Sequence, residues 1–472
     1  MELTWLGFVL IPLGLLTYLA FPNRLAHLAI FFIPFTASSV LNSSSDVPLS
    51  PFQLFGSMFI LHRMLVTLWS GRLRISPKGD KSIILFLLFA GIAAASMVMP
   101  YIIDGSLEVS SNQLNNLYAE PLKLTDSNMK LPLPVVMGTL FAISLASTLR
   151  RLEAIVSALR IYIVSAMVVS AWGIFQFLCN AVFQIEYPYY LFNNVKLDSV
   201  QGYLQGLQVG DDLIPRVSSV THEASIFSKY LLTAIPVVSL CFLMKTPLMG
   251  KGKDALALLL MCTALLVTTS AIGYLGLILG MMICALLSST NHIAKLSALS
   301  IVASLVLLSV GLVIVVFPGT TDVLISATVE KGGSGSFLER MLSIAVSWGY
   351  FLEYPILGIG WGITTSHDLI VNLLANTGLI GLASFSGLMI YIIRNGLKDL
   401  RSFPSATGNV QVSLFPLKKG LIASLILLIL TGMLSGLEFY LGYFYFVCAM
   451  LIAVNTVESA TTPRLLAKRD AR

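Results

Sequence analysis

Four ionisable side chains in "RVSSVTHEASIFSKY", namely Arg216, His222, Glu223 and Lys229, stand at the entry to a long apolar run. Arg340 in "FLERMLSIAVSWGYF" and His367 in "SHDLIVNLLANTGLIG" precede a later one. Arginine presents a rigid fork of donors that matches phosphate oxygens, and it stays charged in every environment. Histidine titrates near neutrality and can accept a proton from a hydroxyl. Two arginines at one membrane interface suit a diphosphate on a lipid carrier, and a nearby histidine suits a base acting on a sugar hydroxyl. The plainer alternative is that these residues bind lipid headgroups or cap helices, and residue chemistry alone leaves both open.

Those side chains need a membrane to position them. Of the 472 residues, 56% are hydrophobic and only 11% charged, against roughly 25% charged in a soluble domain. A bilayer span needs about 20 mostly apolar residues, and such runs recur almost from end to end. Spans are expected near 4–21, 25–41, 51–71, 82–103, 132–149, 153–182, 223–244, 254–270, 272–289, 296–317, 368–394, 418–435 and 437–457. The start has no basic region before its apolar run, so it reads as a retained span and not a cleaved signal. The fold class expected is an all-α polytopic integral membrane protein with about 12–13 transmembrane helices. No internal repeat is visible.

Basic loops set the orientation. "SGRLRISPKGDK", "LRRLE", "KTPLMGKGKD", "NHIAK", "RNGLKDLR" with Lys418 and Lys419, and the tail "RLLAKRDAR" can all lie on the cytoplasmic side without exception. The long loops 104–131, 183–222 and 318–367 then face outward, and they are rich in acids. The net charge of +6 is therefore a topology signal and not a nucleic-acid footprint. The five cysteines fall within or beside apolar runs with no metal-ligand spacing, and read as packing residues. Arg160 is expected to snorkel from a helix end. Arg63, beside His62 in mid-span, is expected to face the bundle interior.

The loop before the eleventh span carries structure of its own. In 337–351, Arg340, Ser343 and Ser347 share one helical face, and Met341, Ile344, Ala345 and Trp348 another. That pattern predicts an amphipathic helix at the interface. "YPILGIGWG" follows as a turn whose glycines would let backbone approach a ligand closely. Lys229 lies ~9 Å along its helix from Glu223, where it could pair with an acid or reach a ligand. Tyr189, in the cluster "YPYYLF", suits stacking on a sugar or anchoring at the headgroups.

The chain resembles the O-antigen ligase and polymerase-like membrane glycosyltransferases. "RMLSIAVSWGYFLEYPILGIGWG" resembles that family's arginine, amphipathic helix and P-x-x-G-x-G turn. "HDLIVNLLANTGLIG" is similar to its histidine, usually followed by Asn or Ser, with G-x-x-G about a dozen residues on. Asp368 departs from that pattern, which bears on the ligase subtype more than on the family. "RVSSVTHEASIFSKYLL" resembles the stretch with a further essential arginine before a span, and "TTSAIGYLGL" the family's small-residue helix turn.

The resemblance implies one transmembrane domain over 1–472, related to the C-type glycosyltransferases, with 318–367 as a large periplasmic loop. It implies transfer of a glycan from a polyprenyl diphosphate to an acceptor hydroxyl, with no cofactor and no metal. Arg216 and Arg340 would hold the diphosphate. His367 would act on the acceptor hydroxyl or the leaving phosphate, and Glu223 is the other candidate base. His222, Lys229 and Tyr189 complete the substrate-binding candidates. The first reading is a polymerase of lipid-linked repeats in a bacterial inner membrane, acting on the periplasmic side, with a chain-length regulator and a flippase as candidate partners. A ligase onto a lipid core or protein is the alternative. A transporter for the same lipid is the rival from another class, against which the absence of visible inverted repeats speaks.

Overall fold

The computed structural model describes residues 2–42, 48–70, 81–110, 119–195, 206–209, 212–288, 335–398 and 414–470, with Ser300 and Ser304. The helices are α1 (Trp5–Ala20), α2 (Leu25–Phe31), α3 (Pro51–Ser70), α4 (Lys81–Ala95), α5 (Met99–Ile103), α6 (Asp126–Met129), α7 (Leu133–Thr148) and α8 (Leu152–Phe177). They continue as α9 (Ala224–Leu243), α10 (Lys251–Val267), α11 (Ala271–Ser288), α12 (Gly335–Glu353), α13 (Leu369–Lys398), α14 (Leu414–Ser435) and α15 (Gly442–Asp470). Strands occur only as short two-stranded antiparallel ladders among the described residues.

Eight helices among the described residues are long and apolar enough to cross a membrane, and Trp5–Ala20 and Gly442–Val457 are shorter apolar helices. The protein is an all-α polytopic membrane protein. Two expected spans differ from the rest. The span near 296–317 lies outside the described residues apart from Ser300 and Ser304, as does the first part of the 318–367 loop. The span near 25–41 is helical only over the seven residues of α2. Beyond it the chain is irregular, because other segments take up its backbone groups. Ala37 N–H donates to Val220 O at 3.0 Å, and Ala37 O accepts from Val195 N–H at 3.2 Å. Ser39 N–H donates to Asn194 Oδ1 at 2.7 Å. Non-helical backbone at membrane depth is tolerated where protein supplies such partners.

At the centre stands α9, buried around nearly its whole circumference and packed on α14, α11, α10 and α8. Small residues let these axes approach: a Cβ on Gly420 would meet Val237 Cα at 2.6 Å. The five cysteines are buried and free, as packing residues should be. Arg160 does more than snorkel, since its Nε donates to Leu248 O at 2.7 Å. Arg63 in α3 keeps a buried Nε without a hydrogen-bond partner, and His62 lies edge-on to Tyr18.

Candidate functional site

Arg216 leaves a hairpin of two short strands, Gly206–Val209 and Asp212–Pro215, paired from Gly206↔Pro215 to Val209↔Asp212. The next five residues, Val217 to Thr221, are all buried. Ser219 has φ +55, a left-handed conformation that costs a non-glycine residue about 1–2 kcal/mol. Its surroundings hold it there. Ser219 N–H donates to Gln176 Oε1 at 2.7 Å, its Oγ donates to Val169 O at 2.7 Å, and its carbonyl accepts from Asn193 Nδ2 at 2.9 Å. The irregular stretch after α2 also helps, because Thr36 Oγ1 accepts the His222 N–H at 3.2 Å. Glu223 then precedes the first turn of α9, exposed, with Oε2 accepting from Ser225 Oγ at 2.8 Å.

The second wall is α12 with the chain that follows it. Its polar stripe faces inward: Ser343 and Ser347 are fully buried, whereas Leu338, Met341, Trp348 and Leu352 are exposed. An outward apolar face on a multi-pass protein suits lipid. Beyond Glu353 the expected turn is present, and one of its glycines, Gly358, approaches another backbone. Ile359 N–H donates to Ala375 O at 2.8 Å and Leu379 N–H to Pro355 O at 2.8 Å. Gly358 has φ +66, and a Cβ there would lie 2.4 Å from Ala375 O. The facing residue is Gly378, φ +63, where α13 is kinked and a Cβ would lie 2.2 Å from Ile356 O.

This backbone clasp holds the segment that ends at His367. Asn376 reinforces it, taking the Thr364 N–H on Oδ1 at 3.2 Å and donating to Thr364 O at 2.9 Å. Asp368 caps α13, its Oδ1 accepting the Val371 N–H at 2.8 Å. Asn and Ser fill the same capping role, so the departure from the expected residue preserves the local fold. His367 Nδ1 lies 2.9 Å from Ser343 Oγ, which joins the histidine to α12.

These segments bring the charges of the site together. Burial lowers the pKa of Arg216, with Glu223 opposing and Arg340 adding to the fall. Burial likewise lowers that of Arg340, against Glu223. His367 is pushed below the ordinary 6.5 by burial and then by the Arg340 charge, with Glu223 opposing. At neutral pH it is an uncharged imidazole beside the Arg340 cation. His222 is also lowered by burial, with Glu223 opposing. Arg216 Nε is buried and has no hydrogen-bond partner, and neither arginine joins a salt bridge among the described residues. A buried guanidinium nitrogen left without an acceptor is costly unless an anion arrives from outside the chain.

Residues 256–386 match a family model, Wzy_C, described as O-antigen ligase. That stretch is similar to the O-antigen ligases. The matched segment holds Arg340 and His367, while Arg216 and Glu223 lie ahead of it. No curated protein matches the chain.

The structure brings together Arg216, Glu223, Arg340 and His367, with His222 beside Glu223. Lys229 is 1% exposed, and its Nζ donates to Glu438 Oε1 at 2.5 Å, Gly436 O at 2.8 Å and Ser435 O at 3.3 Å. Its three protons are spoken for inside the protein. Tyr189 belongs to an aromatic group around Trp5, Trp172 and Phe192, next to Tyr190, whose carbonyl accepts from the Trp5 indole at 3.2 Å. Sequence reasoning placed Ser343 on the Arg340 face of its helix without giving it a role, and passed over Glu438 and Tyr440. Lys229 was the available signal for Glu438, since a buried lysine requires an acid.

Proposed function

We propose that this chain is a polymerase joining polyprenyl-diphosphate-linked oligosaccharides on the outer face of a bacterial inner membrane. The observation that carries the reading is the buried, unpartnered Arg216 Nε beside Arg340 and an uncharged His367. Arg216 and Arg340 hold the diphosphate of the donor and stabilise the charge that grows on it. His367 removes the proton from the acceptor hydroxyl, the oxygen forms a bond to the anomeric carbon, and the bond from that carbon to the phosphate breaks. Polyprenyl diphosphate leaves with the electron pair. Glu223 orients the acceptor hydroxyl. The whole chain acts as one transmembrane domain, with 318–367 as its periplasmic loop, and the basic loops lie in the cytoplasm.

The matched family's description favours a second reading, a ligase that moves finished glycan to another acceptor. Purified protein given only the lipid-linked glycan separates them. A polymerase lengthens the glycan, and a strict ligase leaves it unchanged. No consumption of the lipid-linked glycan, with or without a lipid-core acceptor, would sink both.

A further inference from the structure

The turn between α14 and α15 forms a further wall of the site. Leu437, Phe439 and Leu441 are buried at 3%, 6% and 2%, whereas Tyr440 is 48% exposed. The turn therefore anchors three apolar side chains and projects one aromatic ring. That ring does not point into plain lipid, because its hydroxyl lies within the field of two carboxylates. Glu438 and Glu223 both act on that hydroxyl.

A clamp fixes the turn. Lys229, on the helix that follows Glu223, binds the carbonyls of Ser435 and Gly436 as well as the Glu438 carboxylate. The other Glu438 oxygen, Oε2, accepts from Tyr443 Oη at 3.1 Å. Gly436 has φ +76, and a Cβ there would meet Ser366 O at 3.1 Å and His367 Cα at 3.8 Å. The turn thus packs directly on the backbone of the histidine.

Arg216 and Arg340 attract an anion, and Glu223, which acts on both arginines, also acts on the Tyr440 hydroxyl. Glu438 is already paired with Lys229 and Tyr443 and serves to hold the turn. A half-exposed ring beside the Glu223 carboxylate fits an uncharged polyhydroxyl ligand: a hydroxyl donates to Glu223 and the sugar's apolar face covers the ring. We propose that the turn Gly436–Leu441 is the glycan-binding wall of the site, with Tyr440 as the sugar contact and the Lys229–Glu438 pair as its positioning clamp. That the ligand is a sugar rests on the function proposed above.

The test uses the full chain in lipid nanodiscs with two probes, glycan-free undecaprenyl diphosphate and the lipid-linked glycan isolated from the source cells. Wild type is expected to prefer the glycan-bearing lipid by about tenfold, the size of one good aromatic contact. Tyr440→Ala should abolish that preference and leave the affinity for the glycan-free lipid unchanged. Lys229→Met combined with Glu438→Gln, which removes both charges together, should weaken the preference in the same direction. Preference intact in Tyr440→Ala overturns the proposal, and so does an equal loss for both probes. Arg216→Ala is read separately: undiminished binding of glycan-free lipid would remove the diphosphate reading, while the Tyr440 comparison would still decide the wall.

Discussion

Ser343 Oγ lies 2.9 Å from His367 Nδ1 and donates its proton to Arg340 O at 2.8 Å. A hydroxyl has one proton to give. With that proton on the carbonyl, the oxygen is an acceptor, and Nδ1 must carry the hydrogen it shares with Ser343. Nε2 then holds the free lone pair, which is the form a base requires. Ser343→Ala should lower kcat by roughly tenfold, the equivalent of one hydrogen bond, with KM little changed. Steady-state kinetics that show a KM effect alone would assign Ser343 to binding.

The acid limb of the activity profile should fall below the ordinary histidine value. Burial and Arg340 depress His367 from 6.5, so its base form survives into mildly acidic solution and is lost only as pH drops through the lowered value. Glu339 acts on His367 in the raising direction. Glu339→Gln should move the limb to still lower pH. Stability follows the same sign: below 6.5 an unfolded chain binds a proton that folded His367 and His222 refuse, so the fold weakens on acidification. A limb at or above 6.5 in a pH–rate series would contradict this placement.

Arg340→Ala should reduce glycan product by about a hundredfold or more, the usual cost of losing a charge-stabilising donor. Arg340→Lys should also fail, because an ammonium cannot reproduce a two-pronged contact with phosphate. Membrane yield should hold in both, since Arg340 is only partly buried and joins no salt bridge among the described residues. Product assay beside expression level checks it, and full activity in Arg340→Lys would mean that charge alone suffices.

The membrane class and most of the helices were readable because long apolar runs in a poorly charged chain have few other solutions. The break after α2 was only partly readable. In "FFIPFTASSV" Pro34 is a helix-breaking signal, but the partners that take up the unwound backbone come from 192–195 and 217–222, far away in sequence. In the site, arginine and histidine announced themselves as rare charges in an apolar chain. Ser343 and Tyr440 did not, since serine and tyrosine are common and gain meaning only from what packs beside them. Lys229 drew notice as an ionisable group at a helix entry, and only the fold revealed that Glu438 occupies it.

The left-handed Ser219 should be the weak point of the Arg216 loop. Gln176→Leu strands the buried Ser219 N–H, at a cost of about 1–3 kcal/mol. Ser219→Val should be worse, because a β-branched side chain tolerates φ +55 poorly and the Val169 bond is lost as well. Ser219→Gly should be the mildest, since relief of the backbone offsets the lost hydrogen bond. Thermal unfolding in detergent orders the three, and a glycine variant less stable than the valine variant would refute the argument.

Gly358 and Gly378 make a reciprocal test of the clasp. Each holds positive φ, and a Cβ on either would fall within 2.4 Å of a carbonyl oxygen on the opposite strand of backbone. No rotamer can relieve that contact, so the two chains must separate and the Ile359 and Leu379 hydrogen bonds must lengthen. Gly358→Ala should therefore cost more than the ~1 kcal/mol of conformational penalty alone, and should displace the 364–367 segment that carries His367. Gly387→Ala is the control: it lies on the same helix as Gly378, and a Cβ there meets nothing within 4 Å. In a helix interior with room for the methyl, alanine should add a few tenths of a kcal/mol of stability, up to ~1 kcal/mol. Equal melting temperatures and equal glycan output for Gly358→Ala and Gly387→Ala would show that the clasp does not hold the histidine.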